Sequence, residues 1–129
     1  VDHARSPIGC IWCARYFSSK REVRVAIVDR GLGILQTIRR EYPQFTSASG
    51  AIRAVLQGHH TSRSRDSNMG LGLSNLRGIV THRQGTMTIV SDRGVVSFHH
   101  SKGVLASDRA GQGFCGTVVC FTLRLGLPT

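Results

Sequence analysis

The pattern of apolar and polar positions divides the chain into a strand region, a helix region and a second strand region. Residues 8–17 (IGCIWCARYF) are apolar and aromatic enough for a strand, and a polar turn at 18–21 leads into 22–29 (EVRVAIVD), the strongest strand pattern of the chain. These two are expected to pair as a hairpin. Past the glycines at 31 and 33, Ile34, Leu35, Ile38 and Tyr42 recur at helical spacing until Pro43 closes the segment. Ser49 is placed to cap a second helix, with Ile52, Val55 and Leu56 on one side and Gly58 as its stop. A third helix is predicted over 71–82, where Leu73, Leu76, Ile79 and Val80 repeat at three and four residues and would bury one stripe. From Thr86 the period changes to two. Strands are predicted at 86–91, 95–100 and 117–125, with a turn at Asp92-Arg93-Gly94 and a long polar, glycine-rich connection over 101–113.

Two strands, two or three helices and three more strands suggest an α+β fold. The expected architecture is a two-layer α/β sandwich in which a mixed, mostly antiparallel sheet of about five strands carries its helices on one face. A chain of 129 residues suits a single domain spanning 1–129, without internal repeats. Residues 59–68 (HHTSRSRDSN) hold no aliphatic side chain and read as a basic loop of the kind that closes over ligands. Residues 1–6 (VDHARS) form a helix-compatible stub that runs into Pro7, so the domain is expected to be truncated at its N-terminus.

Charge widens the choice of partners without selecting one. Seventeen Lys and Arg against seven Asp and Glu give a net charge of +10, which permits nucleic acid, anionic lipid or acidic protein as a partner. The basic residues are scattered, as on a solvated surface. No apolar run approaches the roughly 18 residues of a membrane span, and no signal peptide is visible, so a cytoplasmic location without membrane contact is expected. Cys10 and Cys13 form a CxxC, but Cys115 and Cys120 have a different gap and no thioredoxin-like setting is evident. The four are expected to be reduced, mostly buried thiols, with no metal site. The pairs His59-His60 and His99-His100 make poor ligand sets, because neighbours in a strand point to opposite faces, and are expected at the surface.

Two stretches carry the chemistry. In VAIVDRGLG at 25–33, an apolar strand delivers Asp29 to a turn with Gly31 and Gly33, where a carboxylate can accept a hydrogen bond from an amine or a water. In NMGLGL at 68–73, Gly70 and Gly72 lead into the third helix, so unpaired backbone N–H groups at the positive end of the helix dipole would face an anion, phosphate above all.

These stretches resemble a known family. VDRGLGI at 28–34 resembles the first glycine box, DxGxGI, of the GHKL superfamily of gyrase, chaperone, histidine kinase and MutL ATPases, whose nucleotide-binding fold is called the Bergerat fold. GLGLSNLRGIV at 70–80 is similar to the second glycine box and its helix, and 85–94 with 116–125, including Gly116-Thr117, resembles the closing strands of histidine-kinase-type members. Thr61-Ser62-Arg63 stands where such proteins often carry Thr-Thr-Lys or Thr-Ser-Lys. The resemblance covers nearly the entire chain.

It implies ATP or ADP as the ligand. Asp29 would receive the adenine amino group, Thr117 would assist through a water, and Gly31 and Gly33 would shape the adenine pocket. Gly70, Leu71, Gly72 and Leu73 would offer backbone N–H groups to the phosphates. Thr61, Ser62 and Arg63, with Arg65, would reach in from the lid. The family's N box carries an Asn that helps to hold Mg2+ and, in hydrolysing members, a Glu that activates water. Residues 1–4 (VDHA) are similar to the tail of that box, which sets both residues upstream of residue 1, with Asp2 the nearest substitute. The implied function is an adenine-nucleotide-binding domain of a histidine-kinase-like or anti-sigma-like serine kinase signalling protein, with its own catalysis left open. The phosphoacceptor would come from a protein partner, since neither His3 nor His82 sits in a phosphoacceptor motif. Two readings of other classes stand beside it. One is a catalytically inactive interaction module of the same fold, whose uncovered apolar surface would drive a homodimer. The other is a basic nucleic-acid-binding domain, which would lack a reading helix or a stacking motif.

Overall fold

The first two strands fold back on each other across the polar turn at 18–21, an aromatic-rich strand pairing with one in which Val23, Val25 and Ile27 alternate. The computed structural model describes residues 10–58 and 69–126, and in residues 69–71 the backbone alone. Strand β1 (Cys10–Phe17) pairs antiparallel with β2 (Glu22–Asp29) over its whole length, from Cys10 opposite Asp29 to Phe17 opposite Glu22. Helices α1 (Ile34–Arg39), α2 (Ala48–Gln57) and α3 (Met69–His82) follow. Strands β3 (Thr86–Asp92), β4 (Gly94–His99), β5 (Gly103–Asp108) and β6 (Phe114–Arg124) complete a six-stranded sheet in the order β1-β2-β6-β3-β4-β5.

The α+β layering agrees with the sequence expectation, but the sheet differs from it in two ways. Every strand pair is antiparallel, so the described sheet is not mixed. It has six strands where about five were expected, because the polar connection over 101–113 contains β5. With Val104 alone packed against the core, β5 has no apolar alternation to announce it. Pairing with β4, from Gly94 opposite Asp108 to His99 opposite Gly103, holds it in extended form.

The core lies between the helices and one face of the sheet. Ile34, Leu35 and Ile38 of α1, Ile52, Val55 and Leu56 of α2, and Leu73 and Val80 of α3 pack on Met87, Ile89, Val96, Phe98 and Val119. Helix α3 begins two residues before the expected Leu71, and Ile79 is half-exposed, so its buried stripe is narrower than the sequence suggested. Helix α2 is capped by Ser47, whose side chain accepts from the Gly50 N–H at 3.1 Å, while Ser49 lies inside its first turn. The N–H of Ser49 donates to Asp108 Oδ1 at 3.0 Å and its hydroxyl donates to Oδ2. A carboxylate from β5 thus satisfies orphan donors at the positive end of α2. Gly58 ends the helix in the left-handed conformation, as expected.

The His99 and His100 rings do not point apart: they stack with centroids 4.5 Å apart, because His100 has already left β4 for the turn. Ser101 directs its N–H and hydroxyl at His99 Nδ1, at 3.2 and 3.1 Å, an arrangement that favours the neutral ring. Desolvation first, then the charges of His100 and Lys102, push the His99 pKa below the usual imidazole value of 6.5.

Two outcomes follow from this geometry. Asp108→Ala should lower stability by about 1–2 kcal/mol in urea denaturation, because the Ser49 donors lose their partner, and an unchanged midpoint would count against the cap. For His99 the folded pKa is the depressed one, so the unfolded chain binds more protons as pH falls below 6.5. Stability should decline in that window, and His99→Gln should flatten the dependence of the urea midpoint on pH.

Candidate functional site

Residues directly opposite in an antiparallel ladder share a face of the sheet. The registers place Cys10, Asp29, Thr117, Ser91, Gly94 and Asp108 in one row across all six strands, on the side that carries the helices. This row is small and polar where the next two rows are apolar. It ends the core and begins a polar rim.

Asp29 is the last residue of β2 and is 5% exposed. Its Oδ1 accepts the Gly31 N–H at 2.8 Å, a local turn that aims the backbone into the glycine segment. The other carboxylate oxygen has no donor among the described residues. Such a group is costly to bury unless something donates to it.

Across Thr117 from Asp29, Ser91 is fully buried and uses all its hydrogen-bonding capacity. The Ile34 N–H donates to its Oγ at 2.9 Å, its hydroxyl donates to the Gly116 carbonyl at 3.1 Å, and the Thr117 hydroxyl lies 3.2 Å away. With the Ser91 proton directed at Gly116, Thr117 is the donor of that pair, and its own lone pairs remain to accept from a ligand or a water. Ser91 therefore ties the start of α1, and with it the glycine turn, to β3 and β6.

Two glycines make this closure possible. Gly33 has φ +85°, and a Cβ there would stand 3.0 Å from Ser91 Oγ. At Gly116, with φ +130°, a Cβ would run into the Asp29 carbonyl and the Arg30 Cα. Gly31 is not among the residues of positive φ; its contribution is the N–H given to Asp29.

Of the residues expected from sequence, Asp29, Gly31, Gly33 and Thr117 are thus brought together. Gly70, Leu71, Gly72 and Leu73 lie in the opening turns of α3, whose first turn carries no acidic residue. Leu73 is buried in the core, and Gly72 is exposed with open space where a Cβ would be. Thr61, Ser62, Arg63 and Arg65 lie outside the described residues, as do residues 1–4. Ser91 was not expected. No local motif marks it; only its register opposite Thr117 reveals it.

Among the described residues, grooves also lie away from Asp29. One of about 570 Å³ runs over the sheet face away from the helices, lined by Cys13, Arg15, Phe17, Arg24, Thr88 and Cys120. The Arg15 and Arg24 guanidinium groups lie 5.0 and 4.4 Å from the Phe17 ring centre, and Arg24 is also paired with Glu22. The cysteines are unpaired and, apart from partly exposed Cys10, open to solvent rather than buried, because they sit on the outer face and at strand ends. Among the described residues no cluster of His, Cys, Asp or Glu could hold a metal, and no helix is long and apolar enough to cross a membrane.

Replacing Ser91 with Ala should cost about 1–3 kcal/mol in urea denaturation, because the Ile34 N–H and the Gly116 carbonyl would be left buried without a partner. A loss within error of zero would remove Ser91 as the tie. No family model matches the chain, and no curated protein is significantly similar to it.

Proposed function

We propose that the chain is an adenine-nucleotide-binding domain of the GHKL, Bergerat-fold type, belonging to a cytoplasmic signalling protein of the histidine-kinase or anti-sigma serine-kinase kind. The observation that carries this reading is Asp29. A nearly buried carboxylate has one oxygen fixed by the turn that follows it and the other without a donor among the described residues. An exocyclic amine supplies the N–H such an oxygen requires, and adenine has one. Thr117 stands in the next strand with lone pairs to spare, as required to hold a water against a base. The glycine turn between them is locked through Ser91, so the donors and acceptors are ordered before any ligand arrives.

Bound ATP would supply a γ-phosphoryl group for transfer to a protein acceptor. The part of this chain is recognition. Asp29 selects an amine-bearing base, Gly31 keeps the carboxylate oriented, and Gly33 lets the backbone pass without a side chain. The N–H groups at the start of α3, with no acid in the first turn, suit the phosphates. Thr61, Ser62 and Arg63 would add lid contacts and neutralise charge.

Titration calorimetry with ATP and with ADP, with and without Mg2+, tests this. Asp29→Asn keeps an oxygen for the Gly31 N–H and replaces the other acceptor with a donor. It should lower affinity about 10- to 100-fold, the value of one charge-assisted hydrogen bond, while the thermal melt stays close to that of the parent. Equal affinity of parent and variant would overturn the assigned pocket.

A further inference from the structure

The helices rest on β3, β4, β5 and β6, and β1 lies beyond their reach at the edge of the sheet. Three large apolar residues stand exposed on this one strand: Ile11 at 72%, Trp12 at 68% and Tyr16 at 54%. They are spread over both faces, since Trp12, opposite Ile27, is on the helix side and Ile11, opposite Val28, is on the other. An eight-residue edge strand (CIWCARYF) with one charged residue is a template for another strand, because its outer N–H and C=O groups have no partner among the described strands. The opposite edge, β5, is shorter, carries Asp108 and is flanked by Lys102 and Arg109. Those features blunt an edge, and β1 has none of them except Arg15, whose guanidinium lies on its own Phe17.

We propose that β1 is a homodimer contact: two copies pair β1 with β1, antiparallel, about a two-fold axis perpendicular to the sheet at Ala14. The occupant is argued from the strand's own sequence. A perpendicular two-fold axis keeps helix-side residues opposite helix-side residues, so the axis must pass through a residue and not between two. Placed at Ala14, it sets Trp12 against Tyr16 of the second copy, Ile11 against Phe17, and Cys13 against Arg15. Each exposed apolar side chain then meets one aromatic or aliphatic partner, and each pairing occurs twice about the axis: Trp12 with Tyr16 on the helix side and Ile11 with Phe17 on the other. Placed at Cys13, it sets Trp12 against Ala14 and Ile11 against Arg15, which leaves the bulk unmatched. Self-pairing also closes the assembly, whereas β1 on β5 of the next copy would continue into an open fibre. The proposal does not depend on the nucleotide reading.

Sedimentation of the full chain at about 100 µM, within reach of a micromolar dimer, should give twice the 14.0 kDa mass. Trp12→Lys should return it to the monomer mass with an unchanged circular dichroism spectrum, and Trp12→Phe should keep the dimer. Ala14→Cys, in a chain whose four native cysteines are Ser, should be joined by a short bifunctional thiol reagent faster than any other single cysteine placed along β1. A monomer at that concentration, a dimer that survives Trp12→Lys, or fastest crosslinking at position 13 would each overturn the proposal.

Discussion

The Ser91 hydroxyl holds the polar end of this sheet together. One buried oxygen accepts from the first amide of α1, gives its proton to the Gly116 carbonyl and meets Thr117. Helix, turn and two strands meet where a Cβ on Gly33 would crowd Ser91 Oγ and one on Gly116 would strike the Asp29 carbonyl. Burial elsewhere in the core is tolerant of small changes in shape; a polar junction with every bond made is not. Asp29 owes its position to this junction, being the next residue in the same row.

The sheet is used unevenly. Its β3–β6 half is a conventional two-layer core, with helices on one face and a partly polar surface on the other. The β1–β2 hairpin extends from that core and presents apolar residues that nothing described here covers. A row of polar residues ends the sheet on the helix side, and an apolar edge ends it laterally. The proposed nucleotide site and the proposed dimer contact therefore lie on different borders of one sheet.

Much of the architecture was legible in the sequence where a single period dominates. The run EVRVAIVD gave β2 with its true limits, and Ile52, Val55 and Leu56 with Gly58 located α2 and its stop. What could not be read was tertiary in origin. The cap of α2 sits at Ser47 rather than Ser49, and Ser49 is held by Asp108 from 59 residues away. Strand β5 exists by pairing, not by pattern. Asp29, Gly31, Gly33 and Thr117 stand out in the sequence as a candidate site because their types carry the chemistry locally. Ser91, which joins them, is an ordinary strand-end serine until the register sets it opposite Thr117.

Amide chemical shifts during a titration with ADP would test the central claim most directly, since they report place as well as affinity. The account predicts that Gly31, Gly33, Ser91 and Thr117 respond together and saturate at one ligand per chain, while the outer-face groove stays silent. Shifts that saturate at Cys13, Phe17 and Thr88, with Gly31 and Thr117 unmoved, would contradict it.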